Sequence, residues 1–221
     1  MLAGAPDLIL IQMGTPPNEI RGQLGDLPDW FCRALGRLPD TIEMVRVFAG
    51  ESLPEPDPHR IAVITGSWSI VTDCEPWSEK TAAWIRDAMA IEMPFFGVCY
   101  GHQLMAHALG GRVEYHPECR EIGCQTVRLL PEASQDVLLR DLPQHFQAHL
   151  THMQTIISLP PTAYSLAAQI MISTRLFDSA PRRYQPNSIL SSRRRFRLRS
   201  SISEPMSYGR KARIPEPCLM R

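Results

Sequence analysis

The stretch that decides the fold is PFFGVCYGHQLMAHALGG, residues Pro94–Gly111. Its start, Phe95–Val98, is a short apolar run typical of a buried strand, and apolar residues then recur at helical spacing. The closing pair of glycines is a common helix stop. Between strand and helix, Gly97 and Gly101 flank Cys99. The stretch therefore predicts a strand, a tight turn with a cysteine on it, and a helix.

This arrangement is the geometry of a nucleophile elbow. Small neighbours let the backbone bend sharply and let a substrate approach Cys99. The N-terminus of the following helix directs partial positive charge and free N–H groups at the sulfur. Both effects favour the thiolate, which is the reactive form. The alternative is a structural cysteine in an ordinary βα turn, because free cysteine is among the most buried residue types.

The flanking segments alternate between strands and helices. The predicted strands are 8–11, 41–48 and 61–65, and the predicted helices are 26–35 and 79–90. Such alternation predicts an α/β fold with a doubly wound, mostly parallel central sheet and right-handed crossovers. Reactive groups then gather beyond the carboxyl ends of the strands, where Gly66 and Cys99 both fall. A β-rich insertion begins at Gly111 and continues through 124–130.

The stretch Gly97–Gly111 resembles the nucleophile motif of class I glutamine amidotransferases, in particular the stand-alone, GMP-synthase-like group. The resemblance runs from Leu8 to about Gln169, so residues 1–169 are expected to form an amidotransferase-like domain. It implies a flavodoxin-like sheet. It also implies cysteine-dependent hydrolysis of the glutamine side-chain amide to glutamate and ammonia, through a γ-glutamyl thioester.

Four site residues follow from this resemblance by position. Cys99 would be the nucleophile, and the backbone N–H groups of Gly66 and Tyr100 would form the oxyanion hole. Gln103, on the first turn of the helix, would help to hold glutamine. The alternatives are a plain βα-turn glycine at Gly66 and a solvated helix residue at Gln103. Family members also use a His as base and then acid, and a Glu that orients it.

The string His116-Pro117-Glu118 matches the family's His-x-Glu pattern, but it lies only 17 residues past Cys99, in a predicted hairpin region. Triad members are defined by geometry, so His116 and Glu118 are interpreted as loop residues. Residues 146–154 resemble the strand and loop that close over bound glutamine in the family.

The chain changes character after Gln169. Residues 1–169 carry 11 basic and 20 acidic residues, a net charge of −9, whereas residues 170–221 carry 12 and 3, a net charge of +9. Five of the seven residues in 193–199 are arginines. This composition predicts a disordered, Arg/Ser/Pro-rich tail outside the family pattern. The rival interpretation is a basic arm that binds nucleic acid, which we consider less consistent with the composition.

The tail also lacks the expected catalytic partners, because no histidine follows His152. We hypothesise a one-base frame change near codon 169, which would explain this absence. Residues 186–192, PNSILSS, can be encoded as CCC AAT TCC ATC CTG AGT TCN. Read from the last base of the first codon, the same bases encode Gln-Phe-His-Pro-Glu-Phe, which resembles the family's catalytic strand. We therefore expect this chain to be inactive or severely impaired. The alternatives are a γ-glutamyl peptide hydrolase and a catalytically dead binding module.

Composition and motifs bound the remaining possibilities. No apolar run reaches 18 residues, which predicts no membrane span, and residues 1–6 lack the features of a signal peptide, which favours the cytoplasm. The six cysteines are scattered, as in a reduced protein. Cys119 and Cys124 together with His102, His107 and His116 could suggest zinc, but their spacings match no common structural zinc pattern. We expect no metal and no cofactor. Neither a synthetase domain nor a P-loop is visible, so any ammonia acceptor is expected to be a separate synthetase.

Overall fold

The computed structural model describes residues 7–117, 120–136, 138–161, 163–169 and 177–178. Its central sheet has four strands: β1 (Leu8–Gln12), β2 (Glu43–Arg46), β3 (Ile61–Ile64) and β4 (Phe95–Gly97). Their order is β2-β1-β3-β4, and all neighbours pair in parallel. This order equals the start of the flavodoxin-like order 2-1-3-4-5. The predicted α/β fold with a parallel central sheet is confirmed.

Four α-helices accompany this sheet: α1 (Asn18–Leu24), α2 (Leu27–Leu35), α3 (Pro76–Ala90) and α4 (Tyr100–Ala108). Asp26 caps α2 through a capping box with Asp29, and Gly36 ends the helix in a left-handed conformation. The prediction of a helix over 26–35 is therefore confirmed. The second predicted helix is also confirmed, but it begins three residues earlier, at Pro76, a residue type favoured in the first turn.

Both faces of the sheet are covered. Strand β1 is buried at every position, as its continuous apolar run predicts for a central parallel strand. On one face Ile9 and Ile11 pack in a cluster that includes α3 and α4 residues. On the other face Leu8 and Leu10 pack with Cys32 of α2. The chain after β1 thus covers one face and the chain after β3 covers the other.

The β-rich insertion after α4 is confirmed. Its strands are β5 (Arg112–Tyr115), β6 (Glu121–Leu129), β7 (His145–His152), β8 (Gln154–Ser158), β9 (Tyr164–Ser165), β10 (Ala167–Gln169) and β11 (Phe177–Asp178). Strand β6 lies antiparallel between β7 and β10, β5 pairs with β8, and β9 pairs with β11. In the part of the chain described, no helix has both the length and the apolar character needed to span a bilayer.

The second strand is shorter than predicted. The alternation over 41–48 predicts one strand, whereas β2 is flanked by 3-10 turns at Pro39–Thr41 and Val47–Ala49. The second turn ends at Gly50, which adopts a left-handed conformation with φ of 87° and whose N–H donates to Val47 O. Side-chain alternation alone does not reveal where such a turn interrupts the strand.

Candidate active site

Cys99 lies at the sharp turn between β4 and α4, as the sequence predicts. Its backbone has φ of 51° and ψ of −107°, a conformation that a residue with a Cβ rarely adopts. Strain of this kind persists only where the surrounding structure imposes it. The side chain is exposed despite the tight turn. Residues 97–101 therefore have the geometry of a nucleophile elbow, and this name is used for them below.

The two glycines of the elbow are there because a side chain has no room. A Cβ on Gly97 would lie 2.5 Å from Met105 Sδ and 2.6 Å from the carbonyl carbon of Gly101. A Cβ on Gly101 would lie 2.5 Å from the carbonyl oxygen of Ile64, at the end of β3. Helix α4 thus begins directly against the backbone of the sheet. This close approach is the physical reason for the Gly-x-Cys-x-Gly pattern.

Gly66 and Cys99 are brought together beyond the carboxyl ends of β3 and β4. A Cβ on Gly66 would lie 3.5 Å from Cys99 Cβ, which is ordinary van der Waals contact. The space at Gly66 therefore does not require glycine, in contrast to Gly101. The expected neighbourhood of the two residues is present, and the oxyanion role of the Gly66 N–H stays a prediction.

Thr65 holds this loop, and the sequence analysis did not single it out. Its hydroxyl accepts a hydrogen bond from Met13 N at 3.0 Å and donates one to Gly66 O at 2.9 Å. Its carbonyl accepts from Gly101 N at 3.2 Å. Thr65 is fully buried and links the loop after β1, the Gly66 peptide and the start of α4. Its only sequence signal is a hydroxyl residue at the carboxyl end of an apolar strand.

The Tyr100 side chain anchors the elbow to α3. Its ring stacks on Trp77 with centroids 5.8 Å apart, and its hydroxyl lies 2.8 Å from Ser78 Oγ. Burial, opposed by the Ser78 hydrogen bond and reinforced by nearby carboxylates, raises the pKa of Tyr100 to about 12. The phenol is therefore neutral and serves as an anchor. The backbone N–H of Tyr100 lowers the pKa of the neighbouring Cys99 thiol.

Two opposing effects act on the pKa of Cys99. The side chain reaches solvent, but the protein atoms around the sulfur desolvate it and raise the pKa of the thiol, and the Tyr100 N–H lowers the pKa by a smaller amount. The N–H at the start of α4 therefore acts in the direction expected from the sequence, but the net shift is upward because desolvation is the larger effect. Attack by Cys99 therefore requires a base that takes its proton.

Gln103 is buried, so the alternative of a solvated helix residue is wrong. Its amide donates to the backbone oxygen of Gln154 at 2.7 Å and so joins α4 to β8. The Gln154 side chain in turn accepts from Val71 N at 3.0 Å and donates to Thr72 Oγ1 at 2.7 Å. A contact from Gln103 to substrate stays a prediction, and the geometry adds a structural role.

A cleft of about 400 Å³ opens where the loops after β1 and β3 separate, next to Ser67, which follows Gly66; the elbow residues themselves do not line it. These strands flank the switch point of the sheet, the usual ligand position in doubly wound folds. Four apolar side chains and three hydroxyls line the cleft, and none of the lining side chains is charged. The lining residues are Met13, Gly14, Thr15, Phe48, Ser67, Trp68, Ser69 and Trp77.

The other candidate residues lie apart from this centre or outside the described residues. His116 follows β5, is buried, and donates its backbone N–H to Met153 O at 2.8 Å, so its interpretation as a loop residue is confirmed. The Cys124 thiol lies on β6, 3.4 Å from Gln147 Oε1. Glu118, Cys119, the segment 186–192 and the remaining tail after Gln169, apart from 177–178, fall outside the described part.

A strained, exposed cysteine between a parallel strand and a helix places the molecule among α/β proteins with a nucleophile elbow. The profile of the glutamine amidotransferase class-I family matches residues 31–173, and the chain belongs to this family. Solved structures share the fold. A glutamine amidotransferase from Thermotoga maritima superposes with a TM-score of 0.62 at 20% identity, covering 78% of this chain and 71% of that one. A glutamine amidotransferase from Methylobacillus flagellatus superposes with a TM-score of 0.61 at 23% identity, covering 79% of this chain and 66% of that one.

Relatives of two kinds are among the curated proteins that match the chain. Gamma-glutamyl peptidase 4 of Arabidopsis thaliana is 25% identical over 173 residues, which is 76% of this chain and 69% of that protein. Glutamine-hydrolyzing GMP synthase of Bacillus subtilis is 39% identical over 70 residues, 32% of this chain. The GMP synthase of Teredinibacter turnerae is 29% identical over 126 residues, 53% of this chain. The matches span only 13% and 22% of these two synthases.

Proposed function

We propose that the chain carries the reaction centre of a glutaminase-type hydrolase, with Cys99 as the nucleophile. One observation carries this proposal: Cys99 is held exposed in a strained turn between the glycines Gly97 and Gly101, with Gly66 beside it. A structural cysteine would not need a strained backbone or two neighbours without side chains.

The proposed reaction uses the side-chain amide of glutamine. The Cys99 thiolate adds to the γ-carbonyl carbon, and the backbone N–H groups of Gly66 and Tyr100 hold the resulting oxyanion. The C–N bond then breaks, ammonia leaves with a proton supplied by a general acid, and a γ-glutamyl thioester remains. Water cleaves the thioester, which releases glutamate and restores the thiol.

We further propose that this chain is impaired, because it lacks the base that its nucleophile needs. Burial keeps Cys99 as a thiol, and the sequence contains no histidine after His152. General acid–base help contributes about 10²–10⁴-fold to such reactions. A frame change near codon 169, read through to 186–192, would account for the missing His-Pro-Glu segment.

Ammonia and glutamate release from glutamine test both statements. The full chain, a Cys99→Ala variant and a protein translated in the alternative frame from about residue 170 onward are compared. We expect activity in the frame-restored protein and about 10²–10⁴-fold less in the present chain. Equal turnover in these two would overturn the impairment. Activity that survives Cys99→Ala would overturn the role of Cys99.

A covalent probe tests the nucleophile separately from turnover. A chloroketone analogue of glutamine alkylates a correctly placed thiol without needing a leaving-group proton. We expect peptide mass spectrometry to find the adduct on Cys99, with protection by excess glutamine. Cys124, another exposed free cysteine, is the matched control. Equal labelling of Cys124, or no protection by glutamine, would contradict a glutamine site at Cys99.

The uncharged, aromatic-lined cleft favours a second candidate function, hydrolysis of γ-glutamyl peptides. A glutamyl head carries two charges and fits such a lining poorly, whereas an apolar leaving group fits it well. The similarity to gamma-glutamyl peptidase 4 supports this alternative. It predicts that a γ-glutamyl amide of an aromatic amine is cleaved faster than glutamine and that Trp68→Ala, at an exposed cleft residue, removes this preference. Equal rates for both substrates would contradict it.

The relatives named GMP synthase support the further proposal that ammonia passes to a separate synthetase, and a cytoplasmic location is proposed with it. A catalytically dead module with a nucleic-acid-binding tail is the remaining alternative. Salt-sensitive retention of the full chain on immobilised RNA or DNA would favour that alternative, and its absence would count against it.

A further inference from the structure

A second group of chemically active side chains lies away from the elbow. Cys74 lies at the end of the 3-10 turn Val71–Asp73, Glu79 lies in the first turn of α3, and His107 lies in the last turn of α4. One ligand atom from each lies within 4.8 Å of the other two. The His107 Nε2 and Glu79 Oε1 atoms are 2.9 Å apart. None of these residues has a part in the proposed hydrolysis.

We propose that Cys74, Glu79 and His107 bind one Zn²⁺ ion. A thiolate, an imidazole and a carboxylate are the three donor types that zinc takes in proteins. Zinc bonds of about 2.0–2.3 Å place tetrahedral ligand atoms roughly 3.3–3.8 Å apart. A set already within 4.8 Å reaches that spacing through small rotations of side chains on fixed backbones. Three protein ligands leave the fourth position to water.

The backbone that carries Cys74 supports this proposal independently. Cys74 is one of three non-glycine residues with positive φ in the described part of the chain, with φ of 51°. Its N–H donates to Val71 O at 3.1 Å, and the Val71 N–H donates to the buried Gln154 side chain. The turn is therefore fixed from the core, in a left-handed conformation that a residue with a Cβ adopts only at a cost in free energy. A preorganised turn holds the thiol facing the two helices.

Exposure of the three residues differs in a way that suits a metal. Cys74 is exposed, and Glu79 and His107 are half-buried, so an ion can enter from solvent. The simpler interpretation is a hydrogen-bonded Glu79–His107 pair with an uninvolved cysteine beside it. It predicts no dependence of metal binding on Cys74. A bound ion would instead join the turn after β3, α3 and α4, and so fix the helix that begins at the elbow.

Titration of the reduced full-length chain with Co²⁺ tests the proposal, because cobalt in a thiolate site gives a charge-transfer band in the near ultraviolet. We expect one equivalent of Co²⁺ to bind and Zn²⁺ to displace it. Cys74→Ser should abolish the band, and Glu79→Gln and His107→Gln should each weaken binding by at least 10-fold, since even loss of an outer-shell partner costs about 10–100-fold. Cys124→Ser and Cys99→Ser should leave the band unchanged.

The variants also separate a lost ligand from a lost fold. Serine keeps the size of Cys74, and far-ultraviolet circular dichroism verifies that the variant is folded. Added Zn²⁺ should raise the melting temperature of the parent chain and leave that of Cys74→Ser unchanged. Absence of a band in the parent, or a band that persists in Cys74→Ser, would overturn the proposal. Its outcome is independent of the hydrolysis at Cys99.

Discussion

Substitution of Gly101 by alanine tests the close packing that defines the elbow. The added Cβ would lie 2.5 Å from Ile64 O, 2.9 Å from Ile64 Cγ2 and 3.0 Å from the Ile64 carbonyl carbon. Two of these three atoms belong to the backbone of β3, which cannot rotate away as a side chain tip would. Either α4 or the end of β3 has to move.

The cost follows from what the movement disturbs. Overpacking of a filled site costs about 1–3 kcal/mol. The same Ile64 oxygen accepts the Val98 N–H at 3.0 Å, and loss of a backbone hydrogen bond costs about 0.5–1.5 kcal/mol more. Alanine regains up to about 1 kcal/mol through its helix propensity. The expected net loss is about 2 kcal/mol of unfolding free energy.

Urea unfolding followed by circular dichroism measures this loss. With a slope of about 2 kcal/mol per M, the midpoint of Gly101→Ala should fall by about 1 M. Gly22→Ala is the matched control, because nothing lies within 4 Å of its Cβ position in α1. That variant should gain about 0.5–1 kcal/mol. An unchanged or higher midpoint for Gly101→Ala would refute the steric account of the elbow.

Four further outcomes are expected. Cys99→Gly should be more stable than Cys99→Ala by about 1–2 kcal/mol in urea unfolding, because glycine tolerates φ of 51°; equal midpoints would contradict the strain. Iodoacetamide should alkylate Cys99 more slowly near pH 7 than it alkylates a cysteine peptide, and the rate should reach half its maximum at a higher pH, because desolvation raises the pKa of the thiol. Mass spectrometry measures the extent of alkylation, and faster alkylation of Cys99 would contradict the raised pKa. Thr65→Val should lose about 1–3 kcal/mol because Met13 N–H loses its acceptor, whereas Thr65→Ser should lose less; similar losses would exclude the hydroxyl as the cause. Sequencing of the gene should show codon TCC at Ser188 and AGT or AGC at Ser191, and other codons would end the frame-change hypothesis.

The fold could be predicted where burial leaves a clear pattern. The run Leu8–Ile11 and the alternation of strands with amphipathic helices were sufficient for the central sheet. Helix α1 was not predicted, because none of its residues is buried and its apolar residues follow no clear period. The 3-10 turns around β2 were missed for a similar reason: the turn that follows this strand is closed by the hydrogen bond that Gly50 N–H donates to Val47 O, which side-chain spacing does not reveal.

The sequence predicts those site residues that directly follow the ends of strands. Cys99 and Gly66 come after adjacent parallel strands, so their proximity follows from topology. The hydrogen bonds that hold the site in place do not follow from the topology. Thr65 and Met13 are 52 positions apart in the sequence, and Gln103 and Gln154 are 51 apart. For the Cys99 pKa, the sequence predicted the lowering effect of the helix N-terminus but not the larger desolvation that raises the pKa. Desolvation depends on how many atoms pack around the sulfur, which the sequence does not specify.

The junction between Gly97 and Gly101 is made almost entirely of main chain. The Val98 N–H donates to Ile64 O and the Gly101 N–H donates to Thr65 O, so these hydrogen bonds involve no side chain. Every amino acid except proline supplies the same amide and carbonyl. Natural variation can therefore exchange the loops around the cleft, and with them the molecules admitted, while the sulfur keeps its position. Among related proteins we expect substitutions at cleft residues such as Phe48 and Trp68, whereas the backbone geometry of the turn that carries Cys99 should change little.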